Sequence, residues 1–366
     1  MNIKNLYISA GVLFAISAII LLTGNPNSKT KTDDRIETKV ITQESLSPLG
    51  SVNISSNDSD ITLKLDQAEN QWLLEERYSM PIDFSKLSNL INEITKVEVI
   101  RLATSNKDRL SDLGLEGNET LSFLDTKGDL IQTIEIGKNA DNGRQIIRFG
   151  NEEKAYLVDT AIRLESTPLN WLSKELISIE TDSLTEFNLS TVEGESLNLN
   201  RVDSESDWAE ISPLAQTNRS IKQDAVESLL KQLETIRFTD LAEIDDEKVQ
   251  TAKQYNRSFS FKQADGTAYS IVIGRKPEVV LGNGSDKEDS EPATEPAGPV
   301  FIKITSSEDG APINQYMDKA AFEVSSYLFT NLVKSISDLT EEISIEEPKE
   351  DSTEEETEQP EGSTVE

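Results

Sequence analysis

The sequence predicts an α+β fold: two tandem repeats of a mostly antiparallel sheet with a packed helix, preceded by one N-terminal transmembrane helix. Three observations lead there. First, the middle of the chain is written twice. Trp72 and Trp208 lie 136 residues apart; Leu87, Leu90, Ile91, Ile94 and Val97 match Val226, Leu229, Leu230, Leu233 and Ile236 at 139; Phe123 matches Phe261 at 138, and Gly137 matches Gly274 at 137. Second, short stretches of alternating apolar residues flank each helical stripe, the pattern of half-buried strands. Third, residues 6–22 run without a charge.

Residues 1–24 are expected to be the anchor. A spanning helix needs about 20 apolar residues, with a lower limit near 17, and Lys4 can snorkel to the interface. A cleaved secretory signal is the alternative, but no small-x-small pattern precedes a cut and no Cys follows. Residues 25–50, polar and holding Pro26 and Pro48, are expected to be a tether. The first repeat, residues 51–178, opens with alternating Ile61, Leu63 and Leu65 and a strand through Trp72. Asp83 is placed to cap a helix with the apolar face Phe84, Leu87, Leu90, Ile91 and Ile94. Residues 97–103 form the next strand; Asp112, Leu113, Gly114 and Leu115 lie in a short connection; hairpin strands follow around a Lys127, Gly128 turn. Strands at 146–149 and 155–158 precede a closing helical stretch with Ile162, Leu164, Leu169, Trp171 and Leu172. The second repeat, 179–340, follows the same order, two strands, a helix, five strands and a helix. Its first helix carries Ser220 and Gln223 in capping-box spacing, and Asp318 aligns with Asp159. It also holds an acidic insert, 275–298, expected as a mobile loop. Residues 341–366 carry twelve acidic residues against Lys349 and are expected to be a disordered tail.

Composition excludes more than it assigns. The net charge of −32 repels phosphate backbones and anionic headgroups at long range, so nucleic acid is not expected as a partner. With no Cys and no His, thiol nucleophiles, thiolate metal sites and His-dependent triads are impossible. The remaining candidates are weak. Gly282, Asn283 and Gly284 lack the spacing and the helix of a phosphate loop. Ser28 and Lys31 have Ser-x-x-Lys spacing but sit in the polar tether rather than on a buried helix. Asp58 with Asp60, the run 245–247, and Asp286 with Glu288 and Asp289 lack the register of a calcium loop. Arg144, Arg148, Arg275 and Lys276 read as solubilising charge. No catalytic, cofactor-binding or metal-binding residue is assigned, and no cofactor is expected. Trp72 and Trp208 are assigned as core anchors, and Gly137 and Gly274 as strand ends that allow a tight turn.

The early Trp72, the Leu-rich helix, Asp112 to Leu115, the strand end at Ile134 to Lys138, and Tyr156, Leu157 and Val158 before a helix resemble the bacterial domain-of-unknown-function family number 4340. The likeness covers roughly residues 50–335. In the second repeat, Lys253 to Asn256 replace the Leu-Gly-Leu element. The resemblance implies a membrane-anchored, extracytoplasmic protein, with some relatives associated with ABC-type transport and gliding-motility-like export. It carries over no catalytic residue. Counted naively, the positive-inside rule leaves the body in the cytoplasm, since Lys29, Lys31 and Arg35 follow the span; large domains translocate regardless of such charge. The expected protein is therefore a single-pass bacterial inner-membrane scaffold or accessory subunit, its body periplasmic, with a transport-system protein as partner. A binding protein for a cell-envelope polymer or solute, using the cleft between the repeats, is the alternative. An acid-pair hydrolase is a third.

Overall fold

The computed structural model describes residues 34–342 apart from 58, 118, 191–193, 212–218 and 281–293. The predicted span therefore lies outside the described residues, among which no helix is long and apolar enough to cross a membrane.

The chain folds into an α+β structure of two nine-stranded antiparallel sheets with few helices. The first sheet uses β1 (Leu49–Ser55), β2 (Asp60–Asp66), β3 (Gln71–Leu74) and β4 (Met80–Pro81), then, after helix α1 (Phe84–Ile94), β5 (Val99–Thr104), β6 (Thr120–Asp125), β7 (Leu130–Ala140), β8 (Arg144–Phe149) and β9 (Ala155–Val158). Its order is β4-β3-β2-β1-β6-β7-β8-β9-β5. A single turn, α2 (Pro168–Trp171), precedes β10 (Glu175–Ser178), which already belongs to the second sheet. There follow β11 (Leu184–Ser190), β12 (Ser196–Asn200), β13 (Ala209–Glu210), β14 (Arg219–Ile221), α3 (Gln223–Leu230), β15 (Thr235–Ala242), α4 (Glu247–Lys253), β16 (Asn256–Gln263) and β17 (Ala268–Arg275). The described residues end with β18 (Val279–Val280), β19 (Thr294–Glu295), β20 (Val300–Ser306), α5 (Pro312–Lys319), β21 (Ala321–Val324), α6 (Ser326–Leu332), α7 (Ile336–Leu339) and β22 (Thr340–Glu342). The second sheet runs β13-β12-β11-β16-β17-β20-β21-β15-β10. The registers run in parallel: Val52 lies opposite Leu63 and Phe123, as Phe187 lies opposite Leu199 and Phe261. Ile134 lies opposite Leu121 and Phe149, as Ile271 lies opposite Phe259 and Ile304.

Alternation explains the layers, because successive strand side chains point to opposite faces. Ile147 enters the main core with Leu87, Leu90 and Ile94 of α1, and its neighbour Ile146 faces the other way, with Leu110, Leu115 and Leu157. The back of the second sheet repeats this with Phe301 against Val249 and Ala252 of α4. The main core is continuous from one half to the other. One segment joins them. Asp83 N–H donates to Trp171 O at 2.7 Å, Leu172 bridges Ile82, and Ser173 N–H reaches Pro81 O at 2.9 Å. Two residues later the same chain is β10, an antiparallel partner of β15.

Several expectations are corrected. Residues 37–41 are not tether: Val40 and Ile41 are buried, and Glu37, Thr38 and Val40 exchange backbone hydrogen bonds with Val97 and Val99. The stretch from Ile162 to Leu172 is helical only over one turn, with Ile162 and Leu164 packed on the core from irregular chain. Ser220 does not cap α3. It pairs in β14 with Glu341, Lys222 holds the cap position, and Gln223 bonds to Trp208 instead. Asp318 lies in α5, which is inserted between β20 and β21, so Tyr156 and Phe322 are the residues in matching register, opposite Ile147 and Ile302. The described ends of the insert 275–298 are paired: β18 with β19, Lys276 with Glu295, and Gly298 N–H with Lys276 O. The tail starts in a strand, with Glu341 and Glu342 in β22; its remainder lies outside the described residues.

Candidate functional site

Gly137 and Gly274 sit inside β7 and β17, not at turns, and neither has positive φ. A Cβ on Gly137 would lie 2.6 Å from Leu113 O and 3.0 Å from Leu115 Cδ2; one on Gly274 would strike the carbonyl of Ala252. Each glycine thus lets a short helical element, residues 111–113 or α4, lie directly on the back of its sheet. Trp208 lies in the core. It is 2% exposed, Gln223 clamps its backbone N–H and C=O at 2.8 and 2.9 Å, and the Arg201 guanidinium lies 4.7 Å from its ring centroid. Arg201 is itself buried and donates to Leu184 O and Thr181 O. The Trp208 indole N–H is buried without an acceptor. Trp72, on β3 opposite Leu65, is only half-buried.

Of the charges assigned to solubility, Arg144 is exposed, and Arg148, Arg275 and Lys276 are tied into the fold. Arg148 pairs across the β7–β8 ladder with Glu135, which is 2% exposed and also accepts from Gly117 N–H. Arg275 donates to Gly298 O and lies over Phe329. The hairpin register around Gly143 was the signal for the Glu135–Arg148 pair: Ile134 and Ile136 take the core face, which puts Glu135 on the back of the sheet opposite Arg148. Of the carboxylate groups, Asp246 caps α4 through Lys248 N–H at 2.7 Å, Asp60 bonds Ser55, and Asp58 and residues 286–289 lie outside the described residues. Among the described residues no group of three or more acidic side chains is arranged to hold a metal ion.

Two concavities recur at corresponding places, where the long helix of each half turns into the next strand. In the first half Leu90, Glu93, Val97 and Ile162 enclose about 210 Å³. In the second, Gln232, Arg237, Tyr327 and Leu328 line about 320 Å³. Small-molecule sites span roughly 300–1,000 Å³ and bury most of their ligand, so both notches are at or below that range. Tyr327, 73% exposed, stands where the first half has Ala161. Sequence alignment missed it because α5 shifts the register by the length of the insertion.

Where the halves meet, the β3–β4 turn carries Tyr78 and Ser79, both with positive φ (56° and 50°), closed by Met80 N–H on Arg77 O. Burial raises the Tyr78 hydroxyl pKa, and the nearby carboxylates of Glu243, Asp240 and Asp245 add to this against Arg77. Glu323 lies directly opposite Asp240. Burial, then that like charge, pushes its carboxyl above the usual range, with Lys248 opposing.

The described side chains singled out above thus hold sheets, turns and a junction. A family model described as Domain of unknown function (DUF4340) matches residues 72–258, from Trp72 in β3 to Ser258 in β16. No curated protein and no solved structure matches the chain. The match takes in just over half of the 366 residues and crosses both sheets, and on that ground the chain belongs to the family of the Domain of unknown function (DUF4340).

Proposed function

We propose that this protein is a membrane-tethered scaffold or accessory subunit without catalytic activity, built by duplication of one sheet unit and working beside an ABC-type transport system. Residues 6–22 hold it in the bacterial inner membrane, with the body on the extracytoplasmic side. One observation carries the reading: eight strands of each sheet share one order, with matching registers in the strands compared above, and the buried charges are spent inside the fold, Glu135 on Arg148 and Arg201 on backbone carbonyls. A fold of that kind offers broad, rigid faces to a protein partner. The transport partner follows from the resemblance set out above.

The test is crosslinking in native membranes followed by affinity capture of the full chain and mass spectrometry. Enrichment of a transporter permease or ATPase over a mock capture supports the proposal. Capture of the chain alone, at crosslinking levels that trap known membrane neighbours, overturns it.

A further inference from the structure

The two notches occupy matching positions, and the ladders fix the match. Val99 lies opposite Val158 as Phe238 lies opposite Val324, and Glu98 bridges Lys39 as Arg237 lies opposite Glu175. Compared position by position, the notch of the second half has shed acid and gained cations. Glu93, Glu98 and Asp159 of the first half become Gln232, Arg237 and Ser325, and Asn92 becomes Lys231; Thr95 to Glu234 and Lys96 to Thr235 run the other way. The gain stands against the trend of a chain that carries −32 overall. The cations are also free to act. In the first half the pair across the ladder is closed, with Lys39 Nζ 2.8 Å from Glu98 Oε1. In the second the polarity is reversed, and among the described residues neither Arg237 nor Lys231 enters an ion pair. Glu234, the acid of this lining, accepts from the Thr181 hydroxyl at 3.4 Å. Thr235 and Arg237 alternate with buried Ile236 and Phe238, so both leave the sheet on the face opposite the core.

The same lining carries Tyr327. It stands in the place of Ala161 and is 73% exposed, more than any other aromatic side chain among the described residues. Helix α6 does not depend on it: Leu328 and Leu332 bury the helix, and Ser325 caps it through Leu328 N–H. A lone exposed aromatic needs no explanation; one set in a concavity with two unpaired cations does. We infer that this notch binds a sugar ring bearing an anionic group, a carboxylate or a phosphate. Tyr327 offers a flat apolar surface to the C–H face of the ring. The Arg237 guanidinium accommodates two oxygens of the anion in its planar fork, and Lys231 adds a second positive charge. Gln232 and Thr235 supply partners for hydroxyls. The shape agrees. A volume of about 320 Å³, open to solvent, takes a small ligand and leaves its outer hydroxyls wet, whereas an apolar ligand needs enclosure. The matching notch of the first half, about 210 Å³ among Leu90, Val97 and Ile162, has an alanine where this platform stands. The inference stands on the matched registers and adds to the scaffold reading without resting on it.

The experiment labels the full chain with fluorotyrosine and follows the fluorine signals by NMR, in a detergent that carries neither sugar nor phosphate (lauryldimethylamine oxide). The chain has seven tyrosines, and Tyr327→Phe identifies the signal of interest. The probes are glucuronate, glucose phosphate, glucose and inorganic phosphate. The expected result is a saturable shift of the Tyr327 signal with one or both charged sugars. Half-saturation falls at concentrations roughly fivefold or more below those for glucose or for inorganic phosphate, the worth of about one exposed charge pair. A response to one charged sugar alone identifies the anion as carboxylate or phosphate. Arg237→Gln is expected to bring the charged sugars to the level of glucose with the thermal midpoint unchanged, since the side chain is exposed. A Tyr327 signal indifferent to both charged sugars, an equal response to inorganic phosphate (an adventitious ion only), an equal response to glucose, or a charged-sugar response that survives Arg237→Gln overturns the inference. None of these readouts depends on whether a transporter is recovered, so this idea and the function proposed above fail separately.

Discussion

Gly137→Ala separates two roles for a glycine that are indistinguishable in the sequence. If the residue were there for a turn, alanine would strain a left-handed backbone; if it were incidental, alanine would stabilise the chain by about 0.4–1 kcal/mol through the unfolded state. Position 137 is ordinary strand, and the obstacle is external. The new Cβ would stand 2.6 Å from Leu113 O, about 0.8 Å inside ordinary contact, and 3.0 Å from Leu115 Cδ2. Relief requires the 3-10 turn at 111–113 to lift, which draws Leu115 (3% exposed) away from Leu110, Ile146 and Leu157. Overpacking of this kind costs about 1–3 kcal/mol. Set against the entropic gain, the net loss is about 1–2 kcal/mol, or roughly 1–3 °C in Tm for a chain of 366 residues. Thermal unfolding with hydrogen exchange over residues 105–118 is the assay. Gly274→Ala, facing the Ala252 carbonyl, is expected to behave alike. An unchanged or raised Tm with unaltered exchange in that segment refutes the close-approach account.

Glu135→Ala strands Arg148 and the Gly117 N–H, and breaking a buried pair costs about 3–5 kcal/mol; urea unfolding is the check, and replacing Glu135 with leucine together with Arg148 with methionine is expected to recover most of the loss. Glu323 holds its proton more tightly in the folded chain than in the unfolded one, so it disfavours folding increasingly as pH rises from the ordinary glutamate range through its raised folded value. Glu323→Gln is therefore expected to raise Tm at pH 7 and to converge with wild type near pH 4, where both side chains are neutral; a larger gain at pH 4 than at pH 7 contradicts this. Ser79→Gly relaxes one of two left-handed residues in a turn that favours Asn-Gly, worth about 1 kcal/mol, and differential scanning calorimetry should register a higher Tm.

Local signals were legible and long-range ones were not. Asp83 accepts from Ser85 N–H at 3.1 Å at the head of α1, and Gly128 turns the β6–β7 hairpin with φ 90°, both as the residue types imply. Val40 and Ile41 were hidden by their polar surroundings, because their burial depends on β5, almost sixty residues away. Ser220 has the spacing of a helix cap, but β14 pairs with β22 about 120 residues on, and that ladder takes the residue first. The glycine contacts lie across 24 residues in one half and 22 in the other, beyond any window of local periodicity. Glu135 was legible in principle from hairpin parity; Tyr327 was not, since an inserted helix broke the offset that would have located it.

The proposed duplication has kept packing and changed charge. Phe123 and Phe261, or Tyr156 and Phe322, fill the same register with little change of size. On the back face the Glu135–Arg148 pair becomes Val272 opposite Lys303, and Arg101 opposite Leu157 becomes Asp240 opposite Glu323. A core tolerates only volume-conserving exchange, so its retention says little about use. Surface charge is under no such constraint, and a like-charged pair directly across a ladder is destabilising where it stands. Two sheets that agree in register and carry opposite charge along equivalent edges cannot present the same face to one neighbour.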